Sequence, residues 1–105
     1  MAGQMTSDKP TLVLLHGWGL NHAVWLQLLP QLTMHFSVLT PDLPGFGLVE
    51  VMPEPYSLKS VAAVVAEQIP SGSLVLGWSL GGMVATQIAL DYPEKVRALA
   101  LVASS

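Results

Sequence analysis

The chain has 105 residues, of which 51% are hydrophobic and 10% charged, and it carries a net charge of −3 and no cysteine. The lack of cysteine excludes disulfide bonds, thiolate metal sites and a cysteine nucleophile, and a total of four lysines and arginines argues against nucleic-acid binding. No apolar run reaches the roughly 18 residues that a membrane span requires, so we expect neither nucleic acid nor membrane as a partner.

The excess of apolar over charged residues indicates the inner part of a larger domain. A typical soluble domain has about 25% charged residues, and a small domain has a large surface fraction to cover with them. Residues 1–10 lack the basic and apolar stretches of a signal peptide, and we expect them to form a flexible tail. We therefore expect a truncated domain and, by default, a cytoplasmic location.

The first predicted elements are a strand, Thr11 to His16, and a helix that begins at the capping residue Asn21 and runs to about Leu32. Pro30 is expected to break or kink this helix. A second strand covers Phe36 to Thr40, and a loop with four prolines and two glycines covers Pro41 to Pro55. One face of the helix is predicted to be apolar: Trp25, Leu28, Leu29 and Leu32.

A second helix is predicted to begin at Ser57, because apolar residues recur there at helical spacing: Leu58, Val61, Ala62, Val65 and Ile69. A strand follows from Ser73 to Gly77, then a helix after Ser79 that stops at Asp91-Tyr92-Pro93, then a strand from Arg97 to Ala103. Alternating strands and helices predict an α/β fold with about four parallel strands and flanking helices, joined by right-handed crossovers.

The sequence Gly77-Trp78-Ser79-Leu80-Gly81 has the pattern of a nucleophile elbow at a strand-to-helix junction. Such a turn has strained backbone geometry, and only very small residues fit two positions before and after the serine. Gly77 and Gly81 meet that requirement. The turn would expose the serine Oγ and direct the first N–H groups of the next helix toward a carbonyl oxygen that becomes negative.

The other loops at the carboxyl ends of the strands also contain residues typical of a ligand-binding or catalytic site. In parallel sheets, ligands bind at this edge. Here the edge would carry the runs His16-Gly17-Trp18-Gly19 and Asp42-Leu43-Pro44-Gly45-Phe46-Gly47, then Ser79, and Ser104-Ser105. The sequence therefore places its chemistry-bearing residues at one edge.

These motifs, in this order from Leu12 onward, resemble the α/β-hydrolase superfamily, whose fold is a three-layer sandwich. Within it, the chain is most similar to the pimeloyl-acyl carrier protein methyl ester esterases of biotin synthesis. The resemblance implies that Ser79 is the nucleophile and that the backbone N–H groups of Trp18 and Leu80 form the oxyanion hole. It also implies that Trp18 and Trp78 line the acyl pocket, and that the first strand neighbours the strand before Ser79.

The same resemblance implies that an acid and a histidine base follow the nucleophile along the chain. After Ser79 the only acidic residues are Asp91 and Glu94, and there is no histidine. Asp91 would lie about 18 Å from Ser79 along a helix that rises 1.5 Å per residue. We therefore expect residues 1–105 to be the amino-terminal part of one α/β-hydrolase domain, without its cap region and carboxy-terminal part.

The other candidate residues have structural interpretations that we prefer to catalytic ones. His16 ends a buried strand, where an imidazole bonds loop backbone more often than it moves protons. We interpret His22 and His35 as helix-start and loop residues, and Asp42 as an acceptor for turn N–H groups. Trp25 is expected in the core. No residue pair has metal-ligand or dinucleotide-binding spacing, so we expect no metal and no cofactor.

The function expected from this combination is a serine carboxylesterase that forms an acyl-enzyme and acts on a small acyl ester. The resemblance makes an acyl carrier protein the candidate carrier of that ester. The complete protein is expected to be a monomer, and residues 1–105 alone are expected to be inactive. Two alternatives stay open. One is another α/β-hydrolase activity, either general carboxylesterase or carbon-carbon bond hydrolase, and the other is a catalytically silent fragment or binding scaffold.

Overall fold

The computed structural model describes residues 9–17, 20–44 and 57–102. In these ranges four strands form one parallel sheet in the order β2-β1-β3-β4. The strands are β1 (Thr11–Leu15), β2 (Ser37–Leu39), β3 (Ser73–Trp78) and β4 (Val96–Val102). The predicted α/β fold with four parallel strands is confirmed.

Two long helices cover one face of the sheet. They are α2 (Leu58–Gln68) and α3 (Leu80–Asp91), and the shorter α1 (Leu29–Leu32) comes before β2. Ser57 caps α2 as predicted: its Oγ accepts a hydrogen bond from the Ser60 N–H at 3.1 Å, and the Ser60 Oγ accepts one from the Ser57 N–H at 2.9 Å. This reciprocal capping satisfies helix-terminal N–H groups and defines where the helix begins.

β1 is buried on both faces of the sheet, which explains its continuous apolar sequence. On one face, Val13 and Leu15 of β1 and Val75 of β3 pack with α2 and α3. On the other face, Leu12 and Leu14 pack with a smaller cluster around Trp25. The apolar residues predicted for α2 do face the core, with these members buried: Val61, Ala62, Val65 and Ile69.

The first predicted helix is divided into two pieces. A 3-10 turn spans His22–Trp25, with the Asn21 side chain accepting from the Ala23 N–H, and α1 begins only at Leu29. Pro30 lies in the first turn of α1, where a missing N–H is tolerated. The break predicted from Pro30 is confirmed, but the single apolar face is wrong at Leu28, which is 46% exposed, because the break ends the helical periodicity.

Both edges of the described sheet are exposed. Six of the seven residues of β4 are exposed, and Leu101 is 48% exposed. Just before β1, the Pro10 carbonyl accepts a hydrogen bond from the Ser37 N–H of β2 at 2.9 Å. Within the described ranges, no helix has the length and apolar character needed to cross a lipid bilayer.

Candidate active site

Ser79 lies at the corner between β3 and α3 with φ 59° and ψ −116°, and it is the only non-glycine residue with positive φ in the described part of the chain. Its N–H donates to the Val102 carbonyl at 3.2 Å, and its carbonyl accepts from the Gly82 N–H at 2.8 Å. A non-glycine residue in this region costs about 1–3 kcal/mol and persists only when its surroundings enforce it. Ser79 is partly exposed.

The two glycines that flank Ser79 are required by close packing. A Cβ atom on Gly77 would lie 2.5 Å from the Gly82 Cα. A Cβ atom on Gly81 would lie 2.6 Å from the His16 carbonyl oxygen and closer still to that of Leu15. Both obstacles are backbone atoms that cannot rotate away, so the elbow fits only with glycine at both positions. This is the steric requirement predicted from the motif.

The loop after β1 lies beside Ser79. β1 and β3 are sheet neighbours, with Leu15 in register with Gly77, as the resemblance implies. A Cβ atom on Gly17 would lie 3.4 Å from the Ser79 Cβ and 3.3 Å from the Trp78 carbonyl oxygen. Trp18, the predicted oxyanion donor and pocket residue, lies outside the described residues. Leu80, the other predicted oxyanion donor, is the first residue of α3, where helix N–H groups have no intrahelical partner.

His16 is fully buried, and both of its ring nitrogens are hydrogen-bonded. Nδ1 lies 2.9 Å from the Gly17 carbonyl oxygen, and Nε2 accepts a hydrogen bond from the Leu43 N–H at 2.9 Å. The Gly17 carbonyl oxygen can only accept and the Leu43 N–H can only donate, so the proton of the neutral ring is assigned to Nδ1. The prediction that this ring bonds loop backbone is confirmed, and the ring is not available as a base for Ser79.

His22 and Asp42 form an ion-pair geometry that the sequence did not indicate. The His22 Nδ1 lies 2.9 and 3.1 Å from the two carboxylate oxygens of Asp42, and the His22 N–H donates to Oδ1 at 2.7 Å. The Asp42 side chain is 4% exposed and that of His22 36%. The N–H groups predicted to bond Asp42 belong to the Pro-Gly turn that follows it, and that turn lies outside the described residues from residue 45 onward. His35 is exposed in the turn before β2.

The two described tryptophans contact each other. Their rings meet edge to face, with centroids 6.1 Å apart and planes at 69°. Trp25 is buried, as predicted for a core residue, and within the described ranges its Nε1 is a buried polar atom without a hydrogen-bond partner. Trp78 is partly buried against the same cluster and precedes Ser79, so it lies between the core and the elbow.

Asp91 lies at the opposite end of α3 from the elbow, about 18 Å away for a helix of this length. Its carboxylate accepts from the Gln87 amide at 2.8 Å and lies 3.4 Å from the Lys59 Nζ. These contacts, the Gln87 bond foremost, hold the pKa of Asp91 below its ordinary value. In the described ranges, no three histidine, cysteine, aspartate or glutamate side chains converge in a way that could hold a metal ion.

The fold and the elbow define an α/β hydrolase, and the sequence profile of the alpha/beta hydrolase fold family matches residues 10–105. The chain belongs to that family. It is 52% identical over 97 residues to the pimeloyl-acyl carrier protein methyl ester esterase of Pseudoalteromonas atlantica, a match that covers 91% of this chain and 38% of that protein. The enzyme of the same name from Proteus mirabilis is 51% identical over 98 residues, covering 92% of this chain and 37% of that protein.

A crystal structure of a hydrolase from Pseudomonas aeruginosa has the same fold with a TM-score of 0.83 and 36% identity, covering 90% of this chain and 37% of the other. The chain therefore spans less than two fifths of the length of the relatives that it matches. The matched region, residues 10–105, includes the elbow.

Proposed function

We propose that this chain contributes the nucleophile of a carboxylic ester hydrolase, and that the complete protein removes the methyl ester of pimeloyl-acyl carrier protein. The observation that carries the proposal is the positive φ of Ser79 between two glycines that nothing larger can replace. The names of two relatives support the substrate: they are 52% and 51% identical to this chain over aligned regions of 97 and 98 residues. The complete enzyme would act as a cytoplasmic monomer and need no cofactor.

In the proposed mechanism, the Ser79 Oγ attacks the ester carbonyl while a histidine base takes its proton. The carbonyl oxygen becomes negative and accepts hydrogen bonds from the backbone N–H groups of Leu80 and Trp18. The bond to the methoxy group then breaks, and methanol leaves with the proton. Water, activated by the same base, hydrolyses the acyl-enzyme and releases the pimeloyl carboxylate, with its far end still on the carrier protein.

This chain supplies the nucleophile and the oxyanion donors of that scheme. The base and its acidic partner would come from sequence beyond residue 105, because His16 is committed to backbone partners and Asp91 lies at the far end of α3. Trp78, and with it Trp18, would line the acyl pocket. The edge-to-face contact with Trp25 supports that role for Trp78, since it would limit movement of the indole beside Ser79.

The test uses a completed chain, in which residues 1–105 are joined to the part of the Pseudoalteromonas atlantica esterase that follows the region of 52% identity. The completed chain should hydrolyse a p-nitrophenyl ester and convert pimeloyl-acyl carrier protein methyl ester to the free acid, as read by mass spectrometry. Ser79→Ala should reduce both rates by several powers of ten. Ser71→Ala, at an exposed turn serine, is the matched control.

The outcomes separate the two levels of the proposal. Turnover that survives Ser79→Ala would refute the nucleophile assignment. If the p-nitrophenyl ester is hydrolysed but the carrier-protein substrate is not converted, the esterase activity stands and the proposed substrate is wrong.

A further inference from the structure

The loop between residues 16 and 22 is held at both ends by histidines that bond two consecutive residues of the loop after β2. At its first end, the His16 Nε2 accepts from the Leu43 N–H. At its other end, the His22 ring and N–H both bond the Asp42 carboxylate. The segment that follows β2 therefore contacts both ends of the loop that follows β1.

The hydrogen bonds between His22 and Asp42 restrict the movement of His22. The Asp42 side chain is only 4% exposed, and a carboxylate so buried needs donors to compensate for lost water. The His22 main chain and ring both donate to it, at 2.7 Å from the N–H and 2.9 Å from Nδ1. Because backbone and side chain of one residue bond the same carboxylate, the position and the orientation of that residue are both determined.

The constrained loop is the one that lies against the elbow. Gly17 is close enough that an added Cβ would stand 3.4 Å from the Ser79 Cβ, and the Leu20 N–H turns back to the Gly17 carbonyl at 3.2 Å. A donor placed 1 Å from its best position can lose about 100-fold in rate. If the loop carries the proposed oxyanion donor, anchoring at both ends would keep that donor in place.

We propose that His22 and Asp42 are positioning residues: they hold the carboxy-terminal end of this loop, and with it the contact between Gly17 and the elbow, for the oxyanion donor that the proposed function assigns to the loop. This inference rests on the proposed esterase function. It assigns His22 no proton transfer. The effect should fall on transition-state stabilisation, and therefore on kcat, while ground-state binding and KM change little.

The experiment compares four variants of the completed chain. His22→Ala removes the ring and keeps the backbone donor, and Asp42→Ala removes the acceptor of both. His22→Asn restores a side-chain donor near the position of Nδ1. His35→Ala, at an exposed histidine, is the matched control. We expect kcat to fall about tenfold for His22→Ala and about 100-fold for Asp42→Ala, the loss that misplacement of about 1 Å produces, with KM within twofold.

His22→Asn should recover most of the lost rate, and His35→Ala should behave as the parent. A rise in KM with kcat unchanged, or equal losses for His22→Asn and His22→Ala, would overturn the positioning role. Hydrogen exchange supplies a readout that does not depend on catalysis, because the His22 amide should exchange at least tenfold faster in Asp42→Ala. If the parent hydrolyses no ester, the proposed function fails, and the exchange result alone then decides whether the anchor exists.

Discussion

Gly81→Ala should be strongly destabilising although it places alanine in a helix. The new methyl carbon would lie 2.6 Å from the His16 carbonyl oxygen and closer to that of Leu15, both on the backbone at the end of β1. Forcing extra atoms into a packed site typically costs about 1–3 kcal/mol, and immobile obstacles place this change at the upper end. The gain in helix propensity returns about 1 kcal/mol. We expect the free energy of unfolding to fall by about 2 kcal/mol.

Gly82→Ala is the matched control, one residue further along α3. Its methyl carbon would lie 3.3 Å from the Gly77 carbonyl oxygen and 3.4 Å from the Leu101 Cδ2, so its neighbours need to move by only a few tenths of an ångström. The cost of that small shift should roughly cancel the gain in helix propensity and leave the stability near that of the parent. Urea denaturation of the completed chain should therefore rank Gly81→Ala about 2 kcal/mol below Gly82→Ala, with unchanged slopes. Labelling of Ser79 by a fluorophosphonate should slow only in Gly81→Ala. Equal stabilities for the two variants would show that the elbow does not depend on close contact with β1.

Three further predictions concern Ser79, Asp91 and the isolated chain. In the completed chain, Ser79→Gly should be about 1 kcal/mol more stable than Ser79→Ala in urea, because glycine accepts the positive φ of 59°; equal stabilities would contradict backbone strain. Gln87→Leu should raise the pKa of Asp91 toward its ordinary value, since the Gln87 bond is the main cause of the lowering. The lowered pKa stabilises the folded state at pH values above the ordinary pKa of aspartate, and this stabilisation is lost as the pH falls through the folded-state pKa. Carbon-13 NMR titration of the Asp91 carboxyl measures the shift. An unchanged pKa in Gln87→Leu would refute the Gln87 bond as its cause. Residues 1–105 alone should show negligible p-nitrophenyl ester hydrolysis, and rapid turnover abolished by Ser79→Ala would contradict the missing base.

The features that the sequence predicted correctly are those with local causes. Ser57 caps α2 where a serine precedes an apolar helical pattern, and its partner Ser60 lies three residues away. Gly77 and Gly81 flank the strained serine at the spacing that the turn demands. Pro30 lies in the first turn of α1, just after the break that separates α1 from the 3-10 turn. In each case, the residues that cause the feature lie within a few positions of one another.

The features that sequence reasoning missed depend on distant parts of the chain. His22 and Asp42 are 20 residues apart, and neither neighbourhood contains a pattern that would pair them. The helical periodicity that predicts Leu28 on the apolar face stops at the break after the 3-10 turn, so Leu28 is exposed. In β3, Leu74 and Leu76 are only partly buried although the strand is continuously apolar there, because fewer described elements cover that face of the sheet.

The elbow shows how the local and distant causes combine in one site. The glycines permit the turn, but the turn's position is determined by the parallel pairing of β3 with both neighbours, β1 and β4. The Ser79 N–H is held by the Val102 carbonyl at the end of β4, while Gly17 at the end of β1 lies against its Cβ. A strained residue persists only where several such contacts enforce it. The reactivity proposed for Ser79 is therefore a property of the sheet register as much as of the five-residue motif.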